Sequence, residues 1–397
     1  MTERLYYTDS YLRAFRARVL EASPDRCKIY LDRTAFYPAS GGQPFDVGTL
    51  GGASVLDVID EEDRIAHVTA APVMADEVDG EIDWTRRFDH MQQHTGQHLL
   101  SAVFADLLGA PTVSFHLGAG SCTIDIARPS LSSDEMASVE RRANEIVFEN
   151  RPVMVTFADA AADLDLRKPT QRTGTIRVIS IQDLDRSACG GTHVHATGEI
   201  GPILIRKLDR VRDMVRVEFL CGMRAVERAH ADHAALSEIS RAFSSPVDET
   251  PSLVHAQISR VQELDKQFRR VSGELARERG RQLYRETQPG EDGLRRRVVR
   301  VKTLNDEVRA EAQGFTGEAR SVWAGVSEEP PSVLLACSAD SGIHAGQWLK
   351  SVLRELGGRG GGSAALAQGS LPSKDVVDDL LRRVERGSRD QREASDK

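Results

Sequence analysis

The spacing of apolar and polar positions changes three times along the chain. Through residues 1–85 it is strand-like: Phe15-Arg-Ala-Arg-Val-Leu, Lys28-Ile-Tyr-Leu and Ser54-Val-Leu-Asp-Val-Ile alternate, with turn residues between. This predicts a small antiparallel β-barrel, or a sandwich. From 86 to 235 the pattern is mixed. Phe88, Leu99, Leu100, Val103, Leu107 and Leu108 predict a helix over 86–108, and Ser133 to Asn150 a second, opened by Ser132 or Ser133 with Asp134 and Glu135 in its first turn. Strands are expected at 113–116, 121–126, from 151, at 175–181, 202–206 and 214–219. Over 236–290, Val261, Leu264, Phe268, Val271 and Leu275 alternate spacings of three and four, a short coiled-coil seam opened by Pro251 and closed by Gln288-Pro-Gly-Glu-Asp-Gly. Residues 291–397 read as a separate α/β domain, with strands near 297 and 332–337, helices near 343–355 and 373–386, and a glycine-dense stretch from Gly357 to Gly369. The expected fold class is α+β in four segments: 1–85, 86–235, 236–290 and 291–397.

A length of 397 residues allows two or three domains with their own cores, and 28% charged with 40% hydrophobic residues describes a globular chain. The start has no apolar run behind a basic end, no segment reaches the length of a membrane span, and the five scattered cysteines do not form a secreted disulfide framework. A cytoplasmic protein is expected. The net charge of −8 gives no global attraction to nucleic acid. Local basic clusters do occur at Arg206, Lys207, Arg210, Arg212 and Arg216, and between Arg269 and Arg300. Such clusters suit a phosphate backbone, although Arg269 to Arg281 fits a solvated helix face equally well.

Two short stretches carry the chemistry. His94-Thr-Gly-Gln-His98 puts two imidazoles four residues apart, on one face of the expected helix. Cys189-Gly-Gly-Thr-His193 sets a thiol and an imidazole around two glycines. Either half alone has an ordinary explanation, since paired histidines are often hydrogen-bonded core residues. Together, three imidazoles and one thiolate suit zinc. The first stretch has no glutamate after His94, so the general base of zinc peptidases is missing.

These residues carry a family resemblance. Thr34-Ala-Phe-Tyr-Pro with Gly41-Gly42-Gln43, then His94-Thr-Gly-Gln-His98-Leu-Leu, then Cys189-Gly-Gly-Thr-His193-Val with Thr197-Gly-Glu-Ile-Gly201 resemble, in order and spacing, the alanyl-tRNA editing family. That family includes free-standing proteins and the editing region of alanyl-tRNA synthetase. The match covers roughly residues 1–230. The glycine-dense tail resembles the DHHA1 domain found at the end of alanyl-tRNA synthetase, without the Asp-His-His motif of the phosphoesterases that elsewhere accompany it. The whole resembles the long free-standing form.

The resemblance implies hydrolysis of alanine-specific tRNA carrying the wrong amino acid, chiefly serine, with glycine as a second candidate. It implies one zinc ion on His94, His98, Cys189 and His193, and an amino-acid pocket lined by the segment from Thr34 to Gln43. Ser40 departs from the family's third glycine, which puts the pocket's shape in question. Thr34, Gln43, Gln93 and Asp185 are the candidate catalytic or pocket residues, with His116 another for the wall. Thr34 is expected to read the serine hydroxyl, against its plain reading as a β-branched strand residue. Asp185 is expected to orient an imidazole or bind the substrate ammonium, against a turn-capping role. Arg206, Lys207, His344, Gly357, Arg359 and Gly361 are the candidate tRNA contacts; the seam is either an intramolecular helical hairpin arm or, like the last domain, a candidate homodimer contact. With no nucleotide-binding motif, the chain should not charge tRNA. Two alternatives stand beside this reading: threonyl-type editing, and a non-catalytic RNA-binding protein stabilised by zinc.

Overall fold

The computed structural model describes residues 1–170 and 173–386. The chain divides into two compact units, Met1–Ile239 and Ser240–Lys397. The last segment expected from sequence, 291–397, is therefore described only to residue 386.

In the first unit, alternation builds a sheet that closes on itself. Strands Ala14–Ala22, Lys28–Leu31, Arg64–Thr69, Ala53–Glu61, Gly48–Leu50 and Glu77–Ile82 hydrogen-bond in that order, and the last returns to pair with the first. Phe15 and Ala17 face inward with Ile29, Leu31, Leu50, Val55, Val58, Ile65, Val78 and Ile82, while Arg16 and Arg18 are exposed.

Helix α1, Trp84–Leu108, follows. Asp83 caps its start by accepting from Arg86 N, and Gly109 ends it at a left-handed φ of 58°, which glycine adopts without a Cβ penalty. Around it lie two antiparallel sheets: Ile203–Val211, Met214–Cys221, Cys122–Ile126 and Thr112–Leu117 in one, and Val153–Asp159, Thr175–Ile181 and Asp185–Ala188 in the other. The expected second helix is α2, Ser133–Glu149, opened by a capping box between Ser132 and Glu135. One apolar core runs through this part, with Leu99, Leu100, Val103 and Phe104 of α1 against Ile124, Ile126, Val217 and Phe219. Helix α3, Gly222–Ala242, begins in this unit and runs past its boundary at Ile239.

The second unit contains α4, Thr250–Glu286, and a five-stranded sheet ordered Arg295–Arg300, Ser321–Glu328, Pro331–Cys337, Leu366–Ser370 and Arg359–Gly362. Its helices are α5 (Asp306–Thr316), α6 (Ala345–Glu355) and α7 (Val377–Arg386). Of the seam positions, Val261, Leu264, Phe268, Val271 and Leu275 are all more than half exposed. The glycine-dense stretch forms a strand pair at the sheet edge. Packing requires some of these glycines and not others, since a Cβ on Gly361 would meet nothing within 4 Å. A Cβ on Gly360 or Gly369 would lie 2.6 or 2.2 Å from Leu353 Cδ1 of α6, inside any allowed contact. No described helix is long and apolar enough to cross a membrane.

Candidate metal centre

Helix α1 carries His94 and His98 on one face, and the strand Asp185–Ala188 delivers Cys189 and His193 opposite them. One ligand atom from each of the four lies within 4.8 Å of all the others. Cys189 Sγ is 3.4 Å from both His94 Nε2 and His193 Nε2. Gly191 permits this convergence, because a Cβ there would meet His94 Cε1 at 2.2 Å. Arg177 holds the turn, donating from Nη1 to the carbonyls of Cys189 and Gly191 at 2.9 and 2.7 Å.

Each imidazole is held at its Nδ1 by a different group. His94 Nδ1 lies 2.7 Å from Gln43 Oε1, His98 Nδ1 lies 3.0 Å from Asp185 Oδ2, and His193 Nδ1 lies 3.1 Å from Thr95 Oγ1. With Nδ1–H engaged outward, each Nε2, once it carries no proton, directs its lone pair into the space shared with the thiol. Outer hydrogen bonds of this kind fix the ring orientation that a bound metal needs. The electrostatics agree for the thiol. Burial pushes the Cys189 value up, but His94 and His193 outweigh it and hold it well below the usual thiol range. Burial also lowers His193, to about 3, which keeps it neutral. His98 is lowered by burial but raised more by Asp185 and Cys189, to about 9. Three imidazoles and a thiolate with no further protein donor needed fit a four-coordinate zinc ion.

The supporting groups are themselves anchored. Gln43 Nε2 donates to Thr192 Oγ1 at 2.8 Å while its oxygen accepts from Thr192 N at 3.1 Å. Asp185 bonds Arg167 and Ser187, and although burial favours its neutral form, His98 and Arg167 bring it down to about 2. Asp46 and Arg87, both fully buried, form an ion pair that joins the glycine-bearing segment to α1, with Asp46 also accepting from Tyr37 N at 2.7 Å.

Beside the cluster opens a cavity of about 490 Å³, lined among others by Tyr7, Tyr37, Gly42, Phe115, Arg167 and Lys168 together with His94, His98 and Cys189. Ser40 lines it as well. Gly41 and Gly42 take positive φ of 54° and 81° and Ser40 does not, so the missing third glycine leaves this turn unstrained.

Several expected site residues lie elsewhere. Thr34 is buried and does not line the cavity; its Oγ1 bonds His67 Nε2 at 2.8 Å and accepts from Phe36 N at 3.1 Å. Gln93 turns to the backbone of Cys221, donating to its carbonyl and accepting from its N–H, both at 2.9 Å. His116 is exposed, and its neighbour Phe115 takes the wall position. Asp185 is sealed behind His98 with a full set of partners, which is the geometry of an orienting group, not of a turn cap or an ammonium site. Arg206 and Lys207 are exposed and face acids, Asp232 at 4.0 Å and Asp209 at 2.8 Å. In the second unit His344 caps α6 by accepting from Gln347 N, Gly357 follows that helix at φ 75°, and Arg359 and Gly361 lie on the edge strand. Sequence reading missed Thr95, Gln97 and Thr192, although all three sit inside the two motifs, and it missed Arg167 and Arg177, which had no local signal.

Three histidines and one cysteine that could hold a metal ion thus meet at the wall of a cavity in an α+β fold. The comparisons narrow this class. The model of the threonyl and alanyl tRNA synthetase second additional domain matches residues 176–217, and that of the DHHA1 domain matches residues 305–387. The alanyl-tRNA editing protein AlaX-L of Pyrococcus horikoshii is 31% identical over 97% of this chain and 98% of its own length. The alanine–tRNA ligase of Korarchaeum cryptofilum is 32% identical over 96% of this chain, which spans only 44% of that ligase. A solved C-Ala domain from the Aquifex aeolicus alanyl-tRNA synthetase matches 25% of this chain and 96% of that domain, at 23% identity and a TM-score of 0.21, too slight a likeness to bear on the fold. The chain belongs to the alanyl-tRNA editing proteins, in their long form with a C-terminal DHHA1 domain.

Proposed function

We propose that the chain is a trans-editing deacylase that hydrolyses the aminoacyl ester of alanine-specific tRNA mischarged with serine and, second, glycine. The observation that carries this reading is the oriented four-ligand set at the wall of a cavity of about 490 Å³, room enough for an aminoacyl group and its terminal nucleoside. The reaction adds water to the ester carbonyl and breaks its bond to the ribose oxygen, which releases the free amino acid and restores the ribose hydroxyl. No ATP is required, because the ester is already activated.

Zinc, held by His94, His98, Cys189 and His193, would supply a positive charge beside the reacting ester. The chain's own residues do the rest. Gln43, Asp185 and Thr95 fix the three imidazoles, so the centre does not rearrange as substrate enters. Arg167 and Lys168 give the cavity rim a basic side suited to the phosphate before the terminal nucleoside. We assign the editing role to segments 1–85 and 86–235, a connecting role to 236–290, and tRNA binding to 291–397 through Arg359, His344 and the glycine strand, with Arg206 and Lys207 as further phosphate contacts. The exposed seam of α4 is a homodimer contact in this reading, and the site of action is the cytoplasm.

The test is release of serine from Ser-tRNA(Ala) beside Ala-tRNA(Ala), by the intact protein and by Cys189→Ala, with zinc measured on both. Serine release with alanine spared, lost together with zinc, is expected. A zinc-loaded, folded protein that binds tRNA and releases nothing would overturn editing in favour of the non-catalytic RNA-binding reading. Release from threonine-specific tRNA instead would move the chain to threonyl-type editing.

A further inference from the structure

The first unit holds a second cavity, of about 750 Å³, between the start of α1, the start of α3 and the turn after Thr112–Leu117. Every residue that lines it lies before Ile239. It neighbours the first cavity, the one beside the cluster. Gly42 lines the first and Pro44 the second, so at most about 7 Å of backbone separates those parts of the two walls. Along α1, His94 lines the first and His90 the second, one helical turn apart. The second cavity is not a metal site, because among the described residues the His, Cys, Asp and Glu group that could hold an ion is the cluster itself.

His90 marks this cavity as a binding site. It is 4% exposed, and neither ring nitrogen has a hydrogen-bond partner among the described residues. Nδ1 is sealed off, whereas Nε2 is not and opens on the cavity that His90 lines. Burial, and after it Arg86, brings the pKa down to about 4, so the ring is neutral and offers one donor and one acceptor. Buried polar side chains are otherwise nearly always bonded. The rest of the wall indicates what would bond this one. Pro44, Ala119 and Met223, the last 62% exposed, give apolar surface on which a flat ring can lie. Arg86 donates only from Nε, to the Phe45 carbonyl at 3.1 Å, and keeps both terminal nitrogens for an anion. Arg228, also on the wall, shares the one carboxylate of Asp232 with Arg206. Of the lining acids, Asp83 caps α1 and Asp89 pairs with Arg224, which leaves Glu227 alone without a partner.

Apolar surface, a neutral imidazole edge and free guanidinium nitrogens are the groups that hold an unstacked base and its phosphate. We infer that the second cavity receives a nucleotide of the tRNA acceptor end other than the terminal one, with His90 Nε2 on the edge of its base and Arg86 on its phosphate. The inference rests on the first cavity being the aminoacyl-ester site. An RNA end then occupies both cavities, and a lone aminoacyl nucleoside occupies one.

The experiment compares kcat/KM for serine release from seryl-adenosine and from a seryl acceptor-stem minihelix, by the unaltered protein, His90→Leu and Arg86→Gln, with zinc content measured for each. Either substitution is expected to cut release from the minihelix by roughly tenfold to a hundredfold, while release from seryl-adenosine changes by less than about threefold. Arg86→Gln alters a rim side chain, which keeps the test sound if His90→Leu folds poorly. It is also expected to lower the salt dependence of KM for the minihelix by the equivalent of about one phosphate contact. Equal losses on both esters, with zinc retained, would overturn the inference, because they would mean that the two residues only support α1. Unchanged release from the minihelix by both variants would overturn it as well. Failure of the unaltered protein to release serine from either ester would instead overturn the editing reading on which the inference stands.

Discussion

Helices α1 and α4 invert the usual rule in opposite directions. In α1, Arg87 and every residue from His90 to Phe104 are buried, and they include arginine, histidine, glutamine, threonine and serine. In α4 only Thr250, Ala276 and Gly280 are buried, while Ile258, Val261, Leu264, Phe268, Val271 and Leu275 stand at least half exposed. Polar groups go inside α1 because almost every one has a partner waiting: Gln92 donates to the Glu199 carbonyl, Gln93 closes on Cys221, and Thr95 accepts from Val194 N. Apolar groups stay outside α4, and among the described residues of the second unit none covers their stripe. In the function proposed above, the site accounts for the first departure and self-association for the second.

The sharpest way to break the comparison is to remove one buried charge from α1. Arg87→Met leaves Asp46 buried and unpaired, with its link from α1 to the glycine-bearing segment gone. Breaking such a pair costs about 3–5 kcal/mol. Hydrogen exchange should accelerate across residues 34–46 and 84–108 while the sheet of the second unit exchanges as before. Unchanged protection around Tyr37, whose N–H donates to Asp46, would show that the pair is dispensable.

A smaller effect is expected from Thr95→Val, which preserves shape and deletes one oxygen. Val194 N–H and His193 Nδ1 both lose their partner. Leaving a buried donor unsatisfied costs about 1–3 kcal/mol, and loss of an orienting group lowers metal affinity by roughly tenfold to a hundredfold. Zinc competition against a chelating dye reads the second quantity directly. Zinc affinity equal to that of the unaltered protein would mean that His193 needs no help to face inward.

These two residues also show what the sequence could and could not reveal. The four-residue cluster was legible because its spacing is a local property: four residues place two side chains on one helical face, and a glycine pair inside Cys189 to His193 allows a tight turn. The strands of residues 1–85 were legible for the same reason, as alternation decides which face is buried. The supporting shell was not, because it is made by contacts between segments far apart in the chain. Gln43 reaches His94 across 51 residues, Asp185 reaches His98 across 87, and Thr95 reaches His193 across 98. Spacing also misled where two residues of one type compete: Gln93 and Gln97 are one helical turn apart, and only Gln97 lines the cavity. Thr34 was expected to face substrate because of its motif, but the motif could not show that His67 occupies its hydroxyl.

The mildest expected change lies on the other helix. Phe268 is 66% exposed in a stripe that the described residues of the second unit leave uncovered, so Phe268→Glu is expected to remove little packing within one chain. Its effect on the stability of an isolated copy should stay within about 0.5 kcal/mol. Helix α4 does not need the stripe to remain helical, since ion pairs such as Asp265–Arg269 and Glu278–Arg281 lie along it and α5 packs on its far end. If two copies bury their stripes against each other, the same substitution places a carboxylate in the seam and self-association should weaken by tenfold or more. Sedimentation across a range of concentrations, paired with urea unfolding of the dilute protein, separates the two quantities. A stability loss of several kcal/mol that does not depend on concentration would mean that the stripe packs within its own chain, and α4 would then obey the rule that α1 breaks.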